Sequence, residues 1–499
     1  MSTPSFAELI GQLRGGEERL LTAHGAIGAA AMADQVRALA DILQRHDLHC
    51  VASRLDNGSD WLALDLAIRL RGGVHVPLPT FFSPAQAQYA LDGSGAQCLI
   101  AAVGSAVPGG EPLQLPLSAP GLGCWRLAPP PVPVTLPAGT GCITYTSGTT
   151  GQPKGVCLEA DALLRVAGSL ADAASALAPR RHLCLMPLST LLENVAGVYA
   201  TLLSGAQIAA PSLAEIGYSG AAGLDIPSLI ACLHRYQPHS VILVPQLLLA
   251  LVMAAEQGVA LPSSLRYLAV GGGKVGPGLL RRAAALRLPV FEGYGLTECA
   301  SVVALNRPEA QRLGSVGRAL PHAQVRAIDG ELWVDGVRCL GYLGTGGPPA
   351  GAIATGDLGH IDDEGFVHVT GRRKHVFITA FGRNVSPEWV ESELLQHPHI
   401  AQAVVCGEAR AHNLAVLWPR NAALDDAAIA RALAEVNAGL PDYACVSGFV
   451  RASAPFTAAD GLLTGNGRPR RDAILQRHAD AIARRYAELE SPSSHGVSR

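Results

Sequence analysis

The stretch "GCITYTSGTTGQPKGV", residues 141–156, joins an apolar segment to a polar, glycine-rich one. Its first six residues read as a buried β-strand, and the residues after them combine hydroxyl groups and glycines with one charge, Lys154. Open α/β sheets bind ligands at the carboxyl ends of their strands, which is where this polar turn lies. Hydroxyl groups able to donate to phosphate oxygens belong to Thr146, Ser147, Thr149 and Thr150, and backbone that can approach a ligand closely belongs to Gly148 and Gly151. The stretch therefore predicts a polyphosphate-binding turn.

This turn is not a Walker loop. The pattern G-x-x-x-x-G-K-[ST] needs a glycine before the lysine, and Pro153 stands there instead. A plain polar linker is disfavoured as well, because a linker gives no reason for a proline and a lysine directly before an apolar continuation. An ordinary P-loop NTPase is therefore not expected.

Apolar segments of strand length alternate with helical stretches on both sides of the turn, as in "GGVHVPLP" (72–79) and "PVFEGYG" (289–295). This alternation predicts an α/β fold with mostly parallel sheets covered by helices. The apolar run 240–255 contains Pro245 and is shorter than the ~20 residues that span a bilayer, so we expect a strand, a proline turn and a helix. Residues 105–140 are rich in proline and glycine, which predicts an extended surface connection.

Length and charge bound the possible partners. The 499 residues exceed what one hydrophobic core serves, so two or three domains are expected. The 38 Lys and Arg residues against 41 Asp and Glu residues leave no basic excess for nucleic acid or an anionic membrane. The 11 cysteines stand singly, and the amino-terminal residues lack the pattern of a signal peptide. We therefore expect a cytoplasmic protein that has no membrane span and acts on small molecules.

A second glycine-rich segment offers a rival interpretation. Gly271, Gly273 and Gly276 follow a predicted strand with dinucleotide-fingerprint spacing, and Glu292 follows the next strand. On this alternative the protein is an NAD(P)-dependent oxidoreductase with Glu292 on the ribose hydroxyls. The signal is weak, because any tight strand-to-helix turn selects glycine. It also leaves the stretch 141–156 unexplained.

Six ordered segments resemble the adenylate-forming superfamily, which includes acyl-CoA synthetases, peptide-synthetase adenylation domains and luciferases. They are "YTSGTTGQPKG" (145–155), "GYGLTE" (293–298), "GELWVDG" (330–336), "TGD" (355–357), "GRRK" (371–374) and "GRNVSPEWVE" (382–391). Glu193 and "GYGLTECAS" (293–301) are most similar to long-chain fatty acyl-CoA synthetases. The resemblance implies two half-reactions. A carboxylate attacks the α-phosphorus of ATP and releases pyrophosphate, and a thiol then displaces AMP from the acyl-adenylate.

The resemblance also implies the residues of the site. The turn ending in Lys154 would hold the β- and γ-phosphates, Thr297 would contact the α-phosphate, and Glu298 would help to hold Mg²⁺, which favours carboxylate and phosphate oxygens. The adenosine contacts would come from Gly271, Gly272, Gly273, Tyr294, Gly295, Asp357 and Arg372, with Asp357 accepting from the ribose hydroxyls. The implied cofactors are ATP, Mg²⁺ and CoA, or the phosphopantetheine of an acyl carrier protein in place of CoA.

Two domains and a tail are implied by the same resemblance. Residues 1–373 would form the large amino-terminal domain, and residues 374–487 a smaller, mobile α+β domain that swings about Lys374 between the half-reactions. Residues 382–384 would line the pantetheine channel in the second state. Residues 488–499 are expected to be a disordered tail. A metal site at His397 and His399 is not expected, because Pro398 separates them.

The chain departs from the family pattern at Arg468, which stands in "LLTGNGRPRRDAI" (462–474) where the family has a lysine. Arginine keeps the charge but presents it in a planar fork, so the two residues are not interchangeable. We expect Arg468 to act in catalysis with Lys154, Thr297 and Glu298. The predicted activity is ligation of a medium- or long-chain fatty acid to CoA. The alternatives are loading of an acyl carrier protein and a nucleotide-binding protein that has lost catalysis.

Overall fold

The computed structural model describes residues 3–104, 110–117, 121–130, 132–146, 154–219, 223–344, 351–464 and 467–490. Its strands are β1 (Glu18–Thr22), β2 (Gly25–Gly28), β3 (Cys50–Arg54), β4 (Val74–Pro77), β5 (Cys98–Ala102), β6 (Glu111–Leu113), β7 (Leu122–Arg126), β8 (Thr140–Thr146), β9 (Lys154–Glu159), β10 (Arg181–Leu183), β11 (Gln207–Ala209), β12 (Tyr218–Ser219), β13 (Gly223–Leu224), β14 (Ser240–Leu243), β15 (Tyr267–Val270), β16 (Val290–Leu296), β17 (Ser301–Leu305), β18 (Arg318–Ala319), β19 (Ala323–Ile328), β20 (Glu331–Gly336), β21 (Gly341–Tyr342), β22 (Ile353–Ile361), β23 (Val367–Arg372), β24 (Phe377–Ile378), β25 (Asn384–Val385), β26 (Ile400–Cys406), β27 (Asn413–Pro419) and β28 (Val446–Arg451).

The α-helices are α1 (Phe6–Gln12), α2 (Ala29–Arg45), α3 (Ser59–Leu70), α4 (Pro84–Ser94), α5 (Ala160–Ala174), α6 (Ala200–Leu203), α7 (Leu213–Ile216), α8 (Ile226–Tyr236), α9 (Pro245–Glu256), α10 (Pro277–Ala285), α11 (Pro387–Leu394), α12 (Asp426–Asn437), α13 (Arg471–Arg477) and α14 (Ala479–Glu490). Short 3₁₀ turns cover Ser175–Leu177, Thr297–Cys299 and Asp442–Ala444, and a π-helix covers Glu193–Tyr199.

The first large sheet has the strand order β21-β9-β8-β4-β3-β5-β7-β6. Strands β8, β4, β3 and β5 run parallel, and β9 pairs antiparallel with β8. In the β8–β9 pair Thr146 lies opposite Lys154, so the two ends of the predicted phosphate turn meet at the carboxyl end of β8. The predicted surface connection 105–140 contributes β6 and β7, which pair at the far edge. An edge position tolerates the prolines of this segment.

The second large sheet has the order β18-β17-β16-β15-β14-β10-β11-β1-β2. Its strands from β16 to β1 run parallel, whereas β17 pairs antiparallel with β16 and the register shifts between Tyr294 and Gly295. The apolar run 240–255 forms β14 and α9, with Pro245 as the first helical residue, as predicted. Among the described helices, none combines the length and the apolar character that a membrane crossing requires.

Helices cover the faces of these sheets. Helices α2, α3 and α5 and the π-helix pack in one large core, and α8, α9 and α10 pack in a second core on the other face of the second sheet. Buried parallel strands read as continuous apolar runs, which is why the alternation was visible in the sequence. The predicted α/β class is confirmed.

Two smaller parts complete the molecule. The antiparallel sheet β19-β20-β22-β23 follows the second large sheet. After it come the β24–β25 hairpin and the sheet β26-β27-β28, which packs with helices α11 to α14 around its own apolar clusters. We call the elements from β24 onward the carboxyl-terminal domain and those before it the amino-terminal domain. The predicted smaller carboxyl-terminal domain is confirmed, and its boundary at residue 374 stays a prediction.

Candidate active site

A cavity of about 2260 Å³ lies where the two large sheets, the antiparallel sheet β19-β20-β22-β23 and the carboxyl-terminal domain meet. The predicted site residues that line it are Thr146, Lys154, Gly271, Gly272, Gly273, Tyr294, Gly295, Thr297, Glu298, Asp357, Arg372, Lys374 and Arg468. The predicted residues Ser147, Gly148, Thr149, Thr150 and Gly151 lie outside the described residues. The structure thus brings every described candidate to one cavity, although they come from separate segments of the chain.

Asp357 is the centre of one end of this cavity. It lies opposite Arg372 in the β22–β23 pair, and the Arg372 Nε is 2.6 Å from its Oδ1. The Tyr294 hydroxyl donates to its Oδ2 over 2.6 Å. Burial raises the pKa of the Asp357 carboxyl, while Arg372 and the bond from Tyr294 act in the opposite direction. Three strands thereby orient a buried carboxylate whose remaining lone pairs can accept from neighbouring hydroxyl groups.

The glycine turn after β15 forms a wall beside this carboxylate. Gly272 has a φ of +74°, a conformation that side chains other than glycine rarely adopt. Gly295 must be a glycine for a different reason: a Cβ there would overlap the Ser301 carbonyl of the neighbouring strand β17. Sequence reasoning placed Gly295 at the cofactor. The structure adds that it is needed where β16 and β17 pair out of register.

Arg468 reaches the same turn from the carboxyl-terminal domain. Its Nη2 donates to the Gly272 carbonyl, and its backbone N–H donates to the Thr464 hydroxyl over 3.1 Å. A cation from one domain therefore lies against the glycine turn of the other. This is the position from which a positive charge can act on groups bound beside Gly272.

Glu298 lies on the 3₁₀ turn after β16, and its Oε1 accepts a bond of 3.0 Å from the Tyr342 hydroxyl. The Tyr342 ring also faces the ammonium of Lys154, whose Nζ is 5.8 Å from the ring centre. A single protein carboxylate facing a phosphate-binding turn suits Mg²⁺, which takes one or two carboxylates and completes its shell with phosphate oxygens and water. Sequence reasoning missed Tyr342, because it belongs to the short strand β21, which lies outside the recognised segments.

Lys274 and Glu292 were also missed as a pair. Both line the cavity, and the Lys274 ammonium donates to the Val369 carbonyl of β23. Burial lowers the pKa of Lys274 and raises the pKa of Glu292 to about 8. Lys274 directly follows the glycine turn, which is the signal that could have drawn attention to it.

The two domains meet along α10 and α11. The backbone N–H of Gly278, in the first turn of α10, donates to the Glu393 carboxylate of α11. A Cβ at Gly276 or Gly278 would overlap the Gln396 side chain. Arg282 adds a bond of 3.2 Å to the Gln396 carbonyl. Close approach of α11 in this orientation therefore depends on two glycines.

The other end of the cavity runs between the second sheet and the helices that cover it. Its apolar lining consists of Leu170, Ala171 and Ala174 from α5, Leu192, Ala196 and Ala200 along the π-helix and its flanks, and Ala269 and Val302 from the sheet. Alanines on facing helices leave space where larger residues would interdigitate. This part of the cavity is an apolar channel between helices and strands, and none of its residues was a predicted site residue.

Buried polar groups hold the π-helix that forms one side of the channel. The Glu193 carboxylate accepts from the Met186 N–H over 3.0 Å and lies 2.8 Å from the His182 Nε2. Six residues later the Tyr199 hydroxyl donates to Asp65, which also pairs with Arg69 at 3.0 Å. The wall is therefore fixed at both ends by bonds inside the core. Glu193 was noted in the sequence only for its resemblance to long-chain fatty acyl-CoA synthetases, and in the structure it holds the π-helix in place.

Comparison with known proteins agrees with this arrangement. A family profile described as "AMP-binding enzyme" matches residues 21–354, and one described as "AMP-binding enzyme C-terminal domain" matches residues 374–490. The long-chain-fatty-acid–CoA ligase FadD15 of Mycobacterium bovis is 30% identical over an alignment of 431 positions, and the match covers 70% of this chain and 70% of that one.

Solved structures share the fold. The anthranilate CoA ligase AuaEII in complex with anthranoyl-AMP superposes with a TM-score of 0.79 at 17% identity, covering 97% of this chain and 99% of that one. The O-succinylbenzoate coenzyme A synthetase MenE of Bacillus subtilis, in complex with ATP and magnesium ion, gives 0.73 at 22% identity, covering 94% and 99%. The oxidoreductase alternative is overturned, and the chain belongs to the family of AMP-binding enzymes.

Proposed function

We propose that this protein is an ATP- and Mg²⁺-dependent acid–thiol ligase that activates a medium- or long-chain carboxylic acid and transfers it to CoA. The observation that carries the proposal is the continuity of one cavity. It joins the Asp357 carboxylate and the glycine turn at one end to the apolar channel at the other. A nucleotide and an aliphatic acid can therefore be held in contact.

The nucleotide end supplies the adenosine site. Asp357, oriented by Tyr294 and Arg372, would accept from both ribose hydroxyls. The turn Gly271–Gly273 would lie against the adenine, because its lack of side chains allows the closest approach. The hinge role of Lys374 stays part of the proposal, supported by its place in the cavity wall between the domains.

The chemistry requires two anions to approach each other. An oxygen of the substrate carboxylate would bond to the α-phosphorus of ATP as the bond to the pyrophosphate oxygen breaks, and the thiol of CoA would then displace AMP from the acyl carbon. Lys154, Thr297 and Arg468 would place positive charge and donors at the oxygens where negative charge develops. Mg²⁺ bound at Glu298 would supply further charge neutralisation.

The apolar channel favours a long aliphatic acid as the substrate over a short or an aromatic acid. Relatives and neighbours named for long-chain fatty acids, O-succinylbenzoate and anthranilate share the fold, so family membership alone leaves the acid open. A channel lined largely by alanines suits a flexible chain, whose burial contributes about 0.8 kcal/mol per methylene.

The test is acid-dependent pyrophosphate release with purified protein, ATP and Mg²⁺, using straight-chain acids of increasing length beside benzoate and indoleacetate. We expect kcat/KM to rise with chain length, and acyl-CoA to form when free CoA is added. If none of the acids in the panel supports pyrophosphate release, the proposal is contradicted. If an acyl thioester forms only on a holo acyl carrier protein and not on CoA, the carrier protein is the acceptor in place of CoA.

A further inference from the structure

The far end of the channel carries a row of polar side chains on three neighbouring strands. His182 of β10 lies opposite Ser240 of β14, and Ser240 lies opposite Tyr267 of β15. All three line the cavity. Tyr267 begins β15, whereas the glycine turn follows its end. At about 3.3 Å per residue, Tyr267 and Gly272 are roughly 16 Å apart along the sheet. The row is therefore far from the reacting groups.

Tyr267 is buried but its hydroxyl has no hydrogen bond within the part of the chain that the structure describes. Its side chain is only 9% exposed, and its ring packs on Phe291 with 5.1 Å between the centres. Burial raises the pKa of the Tyr267 hydroxyl. Because the hydroxyl oxygen is not fully enclosed by protein, it can be reached from the cavity. A hydroxyl that faces a cavity under these conditions is suited to a polar group of a ligand.

Its neighbours add to the polarity of this end. The His182 Nδ1 is bonded to the Ser240 hydroxyl over 3.0 Å, while its Nε2 is engaged by Glu193. A hydroxyl has one donor and two acceptor positions, so Ser240 can make a further bond. Thr201 and Ser204 line the cavity from the helix wall, and the exposed Arg180 lies where the lining reaches the surface. A terminal methyl group would offer no partner to the Tyr267 hydroxyl.

We infer that this row, centred on Tyr267, is a second recognition site for an oxygen-bearing group at the far end of the acid. This inference rests on the proposed function and names the substrate class: long acids that end in a hydroxyl or a second carboxylate. Ser240 and Tyr267 bind the terminal oxygen, and Arg180 adds charge complementarity when that group is a carboxylate. The length of the channel then selects acids whose two polar ends are the right distance apart.

The test compares kcat/KM for pyrophosphate release with three acids of equal length: an alkanoic acid, its ω-hydroxy derivative and its α,ω-dicarboxylic counterpart. Chain lengths run from octanoic to hexadecanoic. At the best length we expect the oxygenated acid to exceed the alkanoic acid by roughly tenfold, the equivalent of one satisfied buried hydrogen bond. Tyr267→Phe should bring that ratio close to one. Tyr236→Phe, which removes a buried hydroxyl outside the cavity, should leave the ratio as in the wild type.

Arg180→Gln distinguishes the two terminal groups. If the wild type prefers the dicarboxylic acid and Arg180→Gln removes that preference, the row binds a carboxylate. If the wild type prefers the ω-hydroxy acid and Arg180→Gln leaves that preference unchanged, the row binds a hydroxyl. Equal activity with all three acids at every length, unaffected by Tyr267→Phe, would overturn the inference while leaving the proposed function intact. Absence of release with every acid would instead remove the proposed function. The melting temperature of Tyr267→Phe shows that the variant folds.

Discussion

The two ends of the cavity are built in different ways. At the proposed nucleotide end, Asp357, Tyr294 and Arg372 hold one another through directed bonds across strands. At the proposed acyl end the helices line the cavity with small side chains such as Ala171 and Ala196, which leave volume unfilled. Directed bonds tolerate few substitutions, whereas an apolar space can be changed in steps of side-chain size. We therefore expect large losses from changes at the first end and graded, substrate-dependent losses at the second.

The largest effect should come from Asp357→Ala. The substitution removes the predicted acceptor of the ribose hydroxyls and leaves the Tyr294 hydroxyl and the Arg372 guanidinium without their shared partner. We expect ATP–pyrophosphate exchange to fall by roughly 10²–10³, in the range found when one preorganised polar group is removed from an active site. Asp363→Ala, at an exposed position in the β22–β23 turn, is the control and should keep wild-type exchange. Comparable exchange in both variants would contradict the adenosine assignment.

Arg468→Ala should have the next largest effect, because it removes the charge that the carboxyl-terminal domain brings to Gly272. A loss of about 10–10² in pyrophosphate exchange is expected. Arg468→Lys restores a charge with a different geometry and should recover part of the rate. If exchange by Arg468→Ala equals that of the wild type, this residue has no part in adenylation.

Ala196→Phe tests the acyl end. A phenyl group in the channel wall should block long chains while leaving room near the glycine turn, so kcat/KM for a long acid should fall about tenfold or more and that for a short acid much less. Ala430→Phe, on the exposed face of α12, provides the matched control. Equal losses for short and long acids would mean that the acid does not occupy this channel.

Gly278→Ala tests the contact between the domains. The added methyl group would overlap Gln396 and displace α11 from α10, which would also move Arg468. We expect adenylation to slow by about three- to tenfold, while thioester formation from a supplied acyl-adenylate changes less. Gly439→Ala, which has open space apart from one ordinary contact, is the control. A variant that slows both half-reactions equally would show that this contact does not favour one of them.

The smallest effect concerns stability at the nucleotide end. Burial raises the pKa of Glu292 from 4.5 to about 8. The unfolded chain therefore releases this proton at lower pH than the folded protein, and the stability falls as the pH rises from about 4.5 to about 8. Glu292→Gln keeps the neutral form, so its melting temperature should lose about 2 °C less than the wild type between about pH 6 and about pH 8. Exposed Glu408→Gln serves as the control, and parallel curves for all three proteins would refute the shift.

The same contrast explains what the sequence could predict. The proposed nucleotide end is carried by short sequence motifs, so residues such as Thr297 and Asp357 were recognisable, and they meet in one cavity. The acyl end was not recognisable, because Ala174, Ala196 and Tyr267 look in sequence like ordinary buried positions of a helix or a strand. Their role appears only when separate elements are packed together. The same holds for Tyr342, whose neighbours Glu298 and Lys154 are far from it in the chain.

Strand β16 has a consequence for how this enzyme can change over time. It is a parallel core strand along its first half and pairs out of register with β17 at Tyr294 and Gly295, where it forms the floor of the proposed nucleotide site. A substitution in that floor also disturbs the sheet, so the two properties can be lost together. The alanines opposite belong to helices and can be exchanged without touching the strand. Divergence in this protein should therefore alter which acid is accepted long before it alters the use of ATP.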